Sequence, residues 1–167
     1  MLSHAKEQRL LQAEIVKSSE PLLEIRDLLF EAKNAEGEKK EELVAQAQTK
    51  LRAFGKSLSA QPAGLARCVI QTKYVLSLHL AGMNQEASAA LKEGIQNIES
   101  IKDPELETAL YINMGECSLE CGDSASFDFC FQKATEKMNA SSNSKWKSEI
   151  AKTLENLQIL ASEKMHQ

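Results

Sequence analysis

In 167 residues, 43% hydrophobic and 26% charged, the chain has ordinary globular composition and enough length to bury a core. Its formal net charge of −4 argues against nucleic acid as the main ligand, because a phosphate backbone is gripped by clustered Lys and Arg; only a local basic patch is left open. Three prolines and seven glycines in a sequence rich in Leu, Ala, Glu, Lys and Gln point to an all-α fold. The start, Met1 to Arg9, is polar and amphipathic and lacks a signal peptide's apolar core. No run reaches the length of a membrane span, so the expected setting is cytoplasmic, with no membrane insertion. In chain order, Leu10, Leu11, Ile15 and Val16 predict a helix from Ser3 to Lys17. Ser18-Ser19-Glu20-Pro21 reads as a cap and first-turn proline, opening a second helix striped by Leu22, Ile25, Leu28, Leu29 and Ala32. Asn34 to Lys39, with Gly37, break the chain. Leu43, Ala47, Leu51 and Phe54 then mark a helix from Lys40 that Gly55 closes. Gly55 to Gly64 reads as a linker between two halves. Five amphipathic helices follow: Leu65 to Ala81, Gln85 to Ser100, Pro104 to Cys121, Ser124 to Ala140, and Lys145 to about Lys164.

The second half is self-similar. Ala81-Gly82-Met83 matches Cys121-Gly122-Asp123 at a spacing of 40 residues, which pairs Ala87 with Phe127, Leu91 with Phe131 and Gly94 with Ala134. The stretch Tyr111-x₂-Met-Gly-x₆-Gly-Asp-x₃-Phe-x₃-Phe-Gln-Lys-Ala134 reads as one helix-turn-helix unit that cannot bury its own core. It resembles the tetratricopeptide repeat, a unit of about 34 residues in which small residues let two antiparallel helices approach and large ones plug between units. Tyr111 stands at the first aromatic place, Met114-Gly115 at the Leu-Gly pair, Phe131 at the late aromatic and Ala134 at the small residue of the second helix. Ser118 and Phe127 depart from the pattern, where the family has Tyr and Ala, and no proline follows Met138. The unit from Cys68 to Ile101 matches more weakly, with Val75 in the place of Gly.

The resemblance implies an antiparallel helix-pair stack, a TPR-like α-solenoid. Residues 1–57 would form an N-terminal cap or degenerate repeat, 65–140 two helix pairs, and 145–167 a C-terminal capping helix, all in one folded domain. On the last helix, Ile150, Leu154, Leu157 and Leu160 form the stripe that would cover the final pair. The resemblance also implies a concave groove lined by the first helix of each pair: Val69, Thr72, Leu76 and His79, then Ala109, Ile112, Glu116 and Leu119. Most of these are apolar, which suits a helical or apolar peptide of a partner protein; only Lys73 and Asn113 could serve a carboxylate clamp. The chain's own N-terminal helices could instead fill this groove. Phe127, Phe129 and Phe131 alternate at a spacing that no helix face accommodates, so Phe129 must diverge from the other two and is the candidate exposed anchor, or else packs on the Trp146 helix.

Little supports catalysis. His4 and His166 lie near the ends, and His79 reads as a groove or packing residue. No Ser-His-Asp or Cys-His arrangement, metal-ligand spacing, cofactor motif or phosphate loop is recognisable, and Cys68, Cys117, Cys121 and Cys130 read as free thiols in helices. The expected function is therefore a non-catalytic adaptor or chaperone that holds a partner segment. The alternative is a structural subunit whose apolar surfaces assemble a homo-oligomer or larger complex.

Overall fold

The computed structural model describes residues 4–165, whose regular elements are seven α-helices and one 3₁₀ turn. The helices are α1 (His4–Lys33), α2 (Gly37–Ser59), α3 (Leu65–Leu80), α4 (Asn84–Asn97), α5 (Pro104–Glu120), α6 (Ser124–Ala140) and α7 (Ser144–Met165). The 3₁₀ turn, Ile98–Ser100, ends the segment expected as a helix to Ser100. Ser3, His166 and Gln167 lie outside the described residues.

The two glycine turns are the same motif. Gly82 and Gly122 take φ of +75° and +71°, the left-handed conformation that favours a residue without Cβ. At the first, the Met83 N–H donates to Leu78 O at 2.9 Å and the Gly82 N–H to His79 O at 3.0 Å. Asp123 and Gly122 repeat these bonds to Ser118 and Leu119 at 2.9 and 3.1 Å. Both are Schellman closures, which satisfy the last carbonyls of a helix and reverse the chain. Side chains begin the next elements. The Asp103 carboxylate accepts from the N–H groups of Glu105 and Leu106 ahead of Pro104, and that of Asp123 accepts from Ser126 N at 2.9 Å.

The structure corrects two boundaries in the first third. α1 runs unbroken through Pro21, where two helices were expected. Pro21 removes one backbone hydrogen bond, at a cost of roughly 3 kcal/mol. The apolar stripe, however, stays in phase across it: Leu11 and Ile15 before, and Leu22, Ile25, Leu29 and Ala32 after, face inwards, and Ser19 is buried with its hydroxyl donating to Ile15 O at 2.5 Å. α2 likewise continues past Gly55 to Ser59 and buries Leu58 as a further step of its stripe. Gly55 serves close approach and not termination, for a Cβ there would overlap the Tyr74 hydroxyl, whose ring lies 5.6 Å from that of Phe54.

This distinguishes two helical glycines. Gly55→Ala must displace Tyr74 and is expected to lower stability by about 1–3 kcal/mol. A Cβ on Gly115 meets Cys130, Leu157 and Phe127 at 3.6–3.7 Å, which is ordinary contact, so Gly115→Ala is expected to raise stability by about 0.5–1 kcal/mol. Urea unfolding of the two variants beside wild type checks both signs.

Contacts divide the chain into two compact units, Met1–Ala90 and Leu91–Gln167, with the boundary inside α4 and not in the 55–64 stretch. In the N-terminal unit α1, α2 and α3 pack on one another. Lys50 pairs with Glu24 at 3.4 Å, while Gln48 Nε2 donates to Ala81 O at 3.0 Å and Phe54 meets Tyr74. As the number rises on α2 it falls on both neighbours, so α2 is antiparallel to α1 and α3, which run the same way. The buried Gln71 side chain donates to Ala90 O at 2.9 Å and ties α3 to the middle of α4.

In the C-terminal unit α5 packs on α6 and on α7, and α6 on α7. Phe127, Cys130 and Ala134 of α6 are buried, with Phe127 and Cys130 beside Gly115 of α5. Buried Glu107 pairs with Lys137 at 3.0 Å. Gly115 neighbours Leu157, and Glu120 pairs with Lys164, so α7 runs parallel to α5. Each unit thus repeats one local arrangement: a helix, an antiparallel neighbour, and a third helix parallel to the first.

Candidate functional site

The groove positions divide between the two units. On α3, Val69, Thr72, Leu76 and His79 are all half-buried, and the Thr72 hydroxyl donates to Val69 O at 2.6 Å. The line Val69, Lys73, Leu76 and Leu80 follows one helical face, with Lys73 and Leu80 exposed. On α5 the exposed line is Ala109, Asn113, Glu116 and Glu120. Ile112 and Leu119 leave that line. They are 6% and 9% exposed and lie on the side of α5 that carries Gly115, towards α7. Of the α5 positions implied by the resemblance, Ala109 and Glu116 thus face solvent whereas Ile112 and Leu119 are covered. The exposed face of α5 is polar, that of α3 largely apolar.

Phe129 is 44% exposed, and its ring stands edge-on to Tyr111 at 6.4 Å with the Lys133 ammonium 5.8 Å from its centroid. Tyr111 itself is buried. Burial, seconded by Glu107 and Glu99, pushes its phenol up to about 12.

The thiols are free. Cys68, Cys117 and Cys130 are buried and Cys121 is half-buried. Burial raises all four above the ordinary range, Cys130 to about 12. Among the described residues no group of three or more His, Cys, Asp or Glu is placed to hold a metal ion, and no helix is long and apolar enough to cross a membrane.

Sequence reasoning missed a cleft in the N-terminal unit. It has a volume of about 590 Å³ and lies where the C-terminal ends of α1 and α3 meet the start of α2. Leu29, Phe30, Ala32, Val44 and Leu80 give it apolar walls, and Arg26, Asp27, Lys33 and Lys40 its charged rim. Phe30 and Leu80 are 69% and 61% exposed. Val16 and Leu23, also exposed, precede Phe30 at steps of seven residues, so the three share one side of α1 away from the buried stripe. This heptad spacing was the available signal, but from sequence it could not be separated from the inward stripe beside it.

No family model matches the chain, and no curated protein or solved structure matches it either.

Proposed function

We propose that the chain is a non-catalytic scaffold, an adaptor or chaperone, built as a TPR-like stack and holding a helical or apolar segment of a partner protein. The observation that carries this reading is the apolar surface that the N-terminal unit leaves open, with Val16, Leu23 and Phe30 along α1 and Leu80 on the parallel α3. Isolated exposed apolar residues are normal, whereas a row of them leading into an open cleft marks an interaction site. The two Schellman turns and the repeated parallel and antiparallel helix order support the repeat reading. A structural subunit of a homo-oligomer is the second reading, favoured by Ile159 and Leu160 on the outer side of α7, 54% and 39% exposed.

The test is affinity capture of the tagged chain from lysate of its native cells, beside Leu76→Glu, read by mass spectrometry. Stoichiometric recovery of one protein with wild type, reduced with the folded variant, is the expected result. Recovery of the chain alone, together with a concentration-dependent dimer in sedimentation, moves the assignment to a self-assembling subunit.

A further inference from the structure

We infer that the valley between α1 and α3 in the N-terminal unit, ending in the Phe30 cleft, takes an acidic amphipathic helix of another protein. This rests on the scaffold reading and names the chemistry of its partner.

The shape of the valley selects a helix. α1 and α3 run parallel: Val16, Leu23 and Phe30 are exposed along one, and on the other half-buried Val69 and Leu76 lead to exposed Leu80, with exposed Lys73 on the same line. From Val16 to Phe30 a helix rises about 21 Å, so the row matches about four turns of a partner whose apolar residues recur every three or four positions. Phe30 and Leu80 then bound an anchoring pocket, and its volume of about 590 Å³ lies in the roughly 300–1,000 Å³ range of sites that enclose a ligand.

The charge of the partner follows from the rim. Three cations, Arg26, Lys33 and Lys40, face one anion, Asp27, so the cleft carries +2 in a chain of −4. Among the described residues none of the three cations is in an ion pair. A second copy of this acidic chain is disfavoured by that overall charge, and a partner with glutamates or aspartates flanking its apolar stripe is favoured in both encounter and register.

The probe is a fluorescein-labelled helical peptide of about 16 residues with leucines at heptad a and d positions and glutamates on the flanks, beside a twin carrying lysines in place of the glutamates. Fluorescence anisotropy with the full chain should show the acidic probe binding at least about tenfold more tightly than the twin. Phe30→Ser should weaken the acidic probe about tenfold, and Lys33→Glu combined with Lys40→Glu should reverse the preference between the probes. These side chains are exposed, so circular dichroism should show unchanged helix content. Equal affinity for the two probes, no saturable binding of either, or binding indifferent to both sets of substitutions would overturn the proposal. So would a dimer in sedimentation that Phe30→Ser dissociates, since the occupant is then a second copy. If a partner captured from lysate is still retained by the cleft variants, this assignment falls while the scaffold stands; if wild type captures only itself, the scaffold reading falls.

Discussion

A chain ending at Ser142 is expected to aggregate and to lose the cooperative unfolding of its C-terminal unit. α7 buries Leu154, Leu157 and Ala161, at 3–5% exposure, against α5 and α6. Each leucine withdrawn from water contributes about 1.5–3 kcal/mol, before counting the partner surface uncovered with it. That surface is the side of α5 with Gly115, Ile112 and Leu119, together with Phe127 and Cys130 of α6 beside Gly115. The sum is a large share of the 5–15 kcal/mol that holds a typical domain together. Size exclusion and hydrogen exchange on the truncated chain check this: a soluble monomer with wild-type protection in α5 and α6 would show that α7 is dispensable.

Where punctuation was local, it was legible. Gly82 and Gly122 announced their turns because only a residue without Cβ takes the left-handed closure cheaply, and Asp103-Pro104 and Asp123 announced the helix starts that follow. Pro21 and Gly55 misled for the opposite reason: each is a breaker by propensity, but a stripe in phase on both sides outweighs the hydrogen bond lost at Pro21 and the propensity cost of Gly55, and the reason for Gly55 is Tyr74, 19 positions away. The orientation of α5 was the hardest to read. Its buried positions include Glu107, Thr108 and Ser118 as well as Tyr111 and Met114, so covered residues lie on most of its circumference and composition gives no direction. The Phe30 cleft depends on Leu80 arriving from another helix, a juxtaposition that no single helical pattern contains.

Ile112→Glu and Leu76→Glu, equivalent in chemistry and both placed in the groove by the repeat resemblance, are expected to differ sharply. Ile112 is 6% exposed on the α7 side of α5, so its replacement buries a carboxyl with no partner provided, and destabilisation by more than about 3 kcal/mol is expected at neutral pH. The sign of the pH dependence follows. Burial raises the introduced carboxyl above its unfolded value of about 4.3, so the unfolded chain ionises first as pH rises. Between the two values the variant loses stability relative to wild type at about 1.4 kcal/mol per pH unit, and below about pH 4 it recovers the part due to charge. Leu76 is half-buried on the line with exposed Lys73 and Leu80, where a carboxylate reaches water, and a loss within about 1 kcal/mol is expected. Urea unfolding of both variants at pH 4 and pH 7 checks the contrast. Wild-type stability of Ile112→Glu at pH 7 would place that side chain in solvent beside Ala109 and Glu116, and the apolar groove on α5 would be restored. A pH-dependent loss confined to Ile112→Glu leaves α5 with a polar exposed face, so that the exposed apolar line of the expected groove lies on α3 of the N-terminal unit.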